Sequence, residues 1–207
     1  MKRSAVVGGL CALFLAGCGA GLVKVPVTNP LGLQGKSTTV TLGAVAATGV
    51  GAQVLAQANI SLAPNSTFDD ISFDLPLSPT SLNTKLEISG VSFGAGCPAT
   101  QPNPIAVTIS NLNISVSDTA NGSPRSASAS ASSIKFNIGA AGAVSGLTGN
   151  NLTVSNLSTF VNIIRQSGAN TPNALTMSGT IQTDSTPGLA GCTITINWSG
   201  GSGELAF

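Results

Sequence analysis

The sequence predicts an all-β chain folded as an antiparallel β-sandwich, and three observations lead there. Apolar residues alternate with polar ones along most of the chain, the period of a strand with one buried face. In two consecutive runs, separated by a turn containing Asn121-Gly122, the alternation slips by one residue, as in a long bent hairpin. One segment, near 158–167, departs from the period of two and reads as a short helix.

Taken in order, Gly19 to about Gly35, with Pro26 and Pro30, reads as a linker or a first edge strand. Leu42 to Ala58 holds small apolar residues and glycines that fit neither period, and is read as strand with a turn near Gly49 to Gly51. Ile71, Phe73 and Leu75 alternate with Asp70, Ser72 and Asp74. Ile105, Val107 and Ile109 share one parity and Leu112, Ile114 and Val116 the other, so a bulge is expected near Asn111. The return strand repeats the slip, from Ala127, Ala129 and Ala131 to Ile134, Phe136 and Ile138, after a turn spanning Asp118 to Pro124. The alanines are expected to face the bulkier Leu112–Val116 side. Ser158 is placed to cap a helix whose Phe160, Val161, Ile163 and Ile164 share a face, with Gly168 as its stop. Leu175, Met177 and Ile181 mark a later strand, and Cys192, Ile194, Ile196 and Trp198 another.

Leu86-Glu87-Ile88-Ser89-Gly90 ahead of Cys97 echoes Leu175-Thr176-Met177-Ser178-Gly179 ahead of Cys192, and Thr108–Leu112 echoes Thr153–Leu157. Two related half-sandwiches would account for this, and so would chance in a chain rich in Ser, Asn and Gly. The repeat is too irregular to favour a β-solenoid.

The first residues carry a different signal. Lys2 and Arg3 precede an apolar run from Ala5 to Leu15, and small residues lead into Cys18. That run is too short to cross a hydrocarbon core of ~30 Å as a helix. Leu15-Ala16-Gly17-Cys18 resembles the lipobox of bacterial lipoprotein precursors, in which the cysteine thiol is acylated with diacylglycerol and the preceding peptide is removed. The resemblance covers residues 1–18. It implies a signal peptide over 1–17, lipidation at Cys18, an anchor linker or first edge strand over 18–35 and a β-rich domain over 36–207. It also implies a lipid-anchored place in the bacterial cell envelope. Gly19 stands where an aspartate would hold some lipoproteins at the inner membrane, which favours the outer membrane or cell surface. Ala95-Gly96-Cys97 and Ala190-Gly191-Cys192 repeat the last three letters without a basic start or apolar run, so context carries the resemblance. With Cys11 removed and Cys18 acylated, Cys97 and Cys192 remain in a compartment that permits disulfides, and they are expected to bond.

Removing the first 17 of 207 residues leaves 190, enough for one domain with a substantial core. The mature chain keeps six basic residues, the total of eight less Lys2 and Arg3, against seven acidic ones, so no field attracts nucleic acid. Histidine and tyrosine are absent, which removes the commonest general base and two familiar ligands. Gly35-Lys36-Ser37 imitates the end of a phosphate-binding loop, but Pro30 occupies the place of its first glycine. Ser132 and Lys135 have the spacing of a serine–lysine dyad, yet residues three apart in a regular strand face opposite sides. Asp70 and Asp74 would lie ~13 Å apart along a strand, beyond the ~5–9.5 Å of paired glycosidase acids. Asp69 and Asp70 face opposite sides, and a calcium site there has no further support. Trp198 is the single tryptophan and reads as a core residue rather than a sugar platform.

No enzyme is expected, and no cofactor or metal. The expected role is a structural or protein-interaction module of the envelope, held to the membrane by its lipid and joined to an envelope protein partner. Few lysines guard its strand edges, and outward positions such as Thr193 or Thr195 would test such pairing. The alternative is a carrier for an apolar small molecule or lipid, with room left by Ala127, Ala129 and Ala131.

Overall fold

The computed structural model describes residues 23–46, 54–66, 78–100, 103–120, 122–165, 173–184 and 189–207. The signal segment with Cys18, the run Ile71–Leu75 with Asp69, Asp70 and Asp74, the turn near Gly49–Gly51, and Gly168 lie outside these residues.

The strands are β1 (Lys24–Thr28), β2 (Ser37–Thr41), β3 (Gly43–Ala46), β4 (Val54–Ser66), β5 (Ser81–Phe93), β6 (Ile105–Ala120), β7 (Ser123–Ile138), β8 (Val144–Thr148), β9 (Asn151–Ser155), β10 (Asn173–Thr183) and β11 (Thr193–Ala206). The helix α1 (Leu157–Arg165) stands between β9 and β10. The hydrogen-bonded path runs β1-β11-β5-β9-β7-β6-β10-β4-β3, with β2 also on β11 and β8 also on β7. Every pairing is antiparallel.

Alternation explains how so wide a sheet packs. In β5 the residues Leu82, Thr84, Leu86 and Ile88 point inward and their neighbours outward, and the inward rows of both halves form one cluster. A sheet with one apolar face must fold over on that face to remove it from water. The result is the expected antiparallel sandwich, with β1, β2, β11 and β5 in one half and β3, β4, β10, β6 and β7 in the other.

The halves are joined by backbone on both sides. On one side β9 pairs with β5 through Thr84↔Leu152 and with β7 through Ala129↔Val154. On the other the chain passes from β2, on β11, to β3, on β4, with Leu42 between them. The Leu42 N–H donates to the Cys192 carbonyl at 2.9 Å and its own carbonyl accepts the Gly191 N–H at 2.7 Å.

The β6–β7 hairpin follows the sequence pattern closely. Its register pairs Leu112 with Ala131, Ile114 with Ala129 and Val116 with Ala127, large opposite small on one buried face. Asn111 adopts a left-handed φ of 52°, and the pairing of β10 with β6 shifts there, between Ser178↔Asn113 and Thr180↔Ser110. The turn is tighter than the Asp118–Pro124 span, because pairing continues to Ala120↔Ser123. The cause is the Asp118 carboxylate, which is bound to Arg125 directly across the ladder and keeps the strand ends together.

The alanine row is the seat of α1. Helix residues Phe160, Val161, Ile163 and Ile164 are all buried, and the helix packs on β7 and β6. Asn113, Ser126 and Ser130 on the opposite face of that hairpin are exposed, so α1 lies on the face carrying Ala127, Ala129 and Ala131. Small side chains let the helix approach the sheet. The helix begins two residues earlier than a Ser158 cap would allow: Asn156, at φ 51°, precedes it, and its carbonyl accepts the Phe160 N–H at 2.9 Å.

One expectation fails. β11 is flanked by β5 on one side and by β1 and β2 on the other, so Thr193 and Thr195 are not on an edge strand. Their hydroxyls meet those of Thr41 and Thr39 at 3.0 and 2.9 Å. Alternation reports which face of a strand is buried and carries no information about its neighbours within the sheet.

Candidate functional site

Two ends of the sandwich are chemically distinct, and the register fixes what lies at each. Ala206 pairs with both Lys24 and Ser81, and the ladder passes through β9 to Ser155↔Ser128 and on to Ala120↔Ser123. The β1 end therefore holds the start of β1, Ala206 and Phe207, and the Ala120–Ser123 end of the hairpin. The opposite end holds Leu42, Ile105, Ile138, Thr183 and the two cysteines.

At that far end Cys97 and Cys192 are joined by a disulfide across 95 residues of sequence. Each cysteine closes one of the internal Ala-Gly-Cys triplets, and these form two turns stacked on one another. Gly96 has φ 73° and Gly191 φ 84°, and a Cβ on Gly96 would fall 2.2 Å from the Gly191 carbonyl oxygen. Only glycine satisfies both the left-handed backbone and the approach. Ladder bonds extend the β5–β11 pair into the knot: Gly94 N–H donates to the Thr193 carbonyl at 2.7 Å and Thr193 N–H to the Ala95 carbonyl at 2.8 Å. Cys192 is buried and Cys97 is partly so. Sequence reasoning used these triplets only to weigh the export signal; their identity was the available sign that they form a pair.

Toward the β1 end, Asn83, Lys85, Ser202, Gly203 and Glu204 line an open groove of about 280 Å³ on the outer face of β5 and β11. Lys24 reaches Glu204 at 2.8 Å, but both side chains are well exposed, so solvent screening leaves that pair little energetic weight. β11 bends beside the groove, where its register against β5 shifts between Ser199 and Ser202. The Lys85 carbonyl lies where a Cβ on Gly201 would stand, at 2.3 Å.

Among the described residues the buried carboxylate is Asp118, 4% exposed, which accepts two bonds from Arg125. The hydrogen bond to Asp118 raises the Arg125 guanidinium above its ordinary value, against a smaller opposing effect of burial. A raised folded value means the contribution is complete below the ordinary guanidinium range and is lost only as pH rises beyond it. The pair acts as a clasp on the hairpin end at any physiological pH.

The remaining candidates do not assemble. Ser132 and Lys135 both face solvent, because the phase slip turns Ser132 outward, and no hydrogen bond joins them. Lys36 belongs to a turn, its N–H donating to the Leu33 carbonyl at 3.0 Å and its carbonyl accepting the Trp198 N–H at 2.9 Å. Trp198 is 2% exposed and donates its indole N–H to the Thr38 hydroxyl at 2.8 Å, a core role. Among the described residues no group of three or more His, Cys, Asp and Glu side chains could hold a metal ion, and no helix is long and apolar enough to cross a membrane. Comparison with protein-family models, with curated proteins and with solved structures finds no match for this chain.

Proposed function

We propose that this protein is a lipid-anchored, extracytoplasmic envelope protein whose β domain serves as a structural or protein-interaction module. The observation that carries the reading is the coincidence of two independent marks of export. Residues 1–18 have the order of a lipoprotein signal, and the two cysteines that would remain besides the lipidated Cys18, Cys97 and Cys192, are bonded to each other. A structural disulfide persists in oxidising compartments and is rare in the cytosol.

Two features support a scaffold over a carrier. The alanine row that would leave room for an apolar ligand is covered by α1. The outer faces present Ser, Thr and Asn in place of charge, a surface without long-range repulsion toward a neighbouring protein. At the β1 end of the strand order, Lys24 and Pro26 restrict pairing with a further strand.

The test is recovery of the tagged, acylated protein from its native envelope in mild detergent, with mass spectrometry of everything that accompanies it. A stoichiometric protein partner that survives chemical cross-linking is the expected result. Recovery of the domain with an apolar molecule and no protein would replace this reading with the carrier one.

A further inference from the structure

We infer that the domain stands on the membrane by the end that carries Val23, Ala206 and the Ala120↔Ser123 pair, and presents the Cys97–Cys192 knot away from it. The inference rests on the lipid-anchor reading above and adds the orientation of the domain and the lipid surface it faces.

The length of the tether sets the first limit. The six steps from Cys18 to Lys24 span at most about 22 Å when fully extended. β5 alone, at 13 residues and ~3.3 Å per residue, is about 40 Å long. The domain is thus longer than its leash, and only its β1 end lies within reach of the anchoring lipid in every orientation.

The direction of the chain sets the second. Beyond β1 the ladder continues, because the Phe207 N–H donates to the Val23 carbonyl at 3.1 Å. At Val23 the backbone therefore still runs along the strand axis, toward the end of the sandwich and not its flank. Val23 itself is 53% exposed and is the large exposed apolar side chain among the described residues. It sits on the last residue before the tether, where contact with the lipid interface would cover it. The opposite end carries the two stacked turns and, among the described residues, no such side chain.

The experiment uses the full-length acylated protein in phosphatidylethanolamine–phosphatidylglycerol vesicles, with a fluorescent donor on a single added cysteine and an acceptor on the lipid headgroup. Ser123→Cys and Ala140→Cys place the donor at the two ends of β7, on exposed side chains. Along a straight strand these positions are up to about 50 Å apart. Energy transfer from position 123 several-fold greater than from position 140 is expected. Equal transfer, as for a domain lying on its flank, or greater transfer from 140, would overturn the orientation. Flotation with the vesicles and the intact mass are read first. A protein that neither floats nor carries acyl chains removes the anchor reading itself, whereas one that floats with the wrong transfer ratio removes the orientation alone.

Discussion

Replacing both knot cysteines, Cys97→Ala with Cys192→Ala, should bring the domain close to its unfolding threshold. The chain-entropy relation, about −2.1 − 1.5R ln n cal/mol/K, gives for the sequence separation of 95 a loss of about 4.7 kcal/mol near 25 °C. The native side changes less, since the ladder bonds of Gly94 and Thr193 and the bonds of Leu42 to Gly191 and Cys192 hold the turns in place without the sulfurs. A domain of this size has about 5–15 kcal/mol in total, so most or all of the margin is at stake. Urea unfolding followed by the emission of Trp198, which is buried and single, reads the change directly. The midpoint should fall sharply, and the slope should rise as the unfolded chain loses its cross-link and expands. A loss of under about 1 kcal/mol would refute the reasoning, because a closed loop of that length would then not be restricting the unfolded chain.

Gly96→Ala should cost roughly 2 kcal/mol or more, since the left-handed backbone and the Gly191 carbonyl both oppose a Cβ, whereas Gly35→Ala, at φ 75° with nothing within 4 Å, should cost about 1 kcal/mol. Similar thermal midpoints for the two would contradict the close approach in the knot. Asp118→Asn should destabilise by about 2 kcal/mol, below the ~3–5 kcal/mol of a fully buried broken pair because the Arg125 side chain is 25% exposed; a double-mutant cycle with Arg125→Met should return most of that as coupling. Ala129→Phe should cost about 3 kcal/mol and diminish the helical circular-dichroism signal, because Ala129 is 0% exposed beneath α1. If the Ala129→Phe protein were as stable as the parent with α1 intact, the row would contain unfilled space and the carrier reading would revive.

What the sequence disclosed follows from what alternation can encode. The β6–β7 hairpin was readable because apolar and polar residues alternate along both strands and slip together at Asn111 and Ser132. β5 signals more faintly, since buried Thr84 interrupts the row of Leu82, Leu86 and Ile88. β8 and β9 bury few side chains and are held by pairing with β7, which leaves little periodicity to find. β11 outlasts its pattern: beyond Trp198 the run Ser199–Gly203 has no apolar row, yet its glycines let the backbone close against Lys85 and Asn29. The neighbour relations, and with them the interior place of Thr193 and Thr195, belong to the global topology. The disulfide partners were reachable by elimination once export was assumed, but the stacking of the two Ala-Gly-Cys turns depends on a contact between residues far apart in sequence.

The central claim is that Cys18 becomes the lipidated first residue of an exported protein, and the N-terminal peptide of the envelope-recovered chain tests it most directly. Mass spectrometry should find a peptide that begins at Cys18 and carries a diacylglyceryl group, with residues 1–17 absent. A chain that retains those residues, or that begins at another position without acyl mass, would contradict the account.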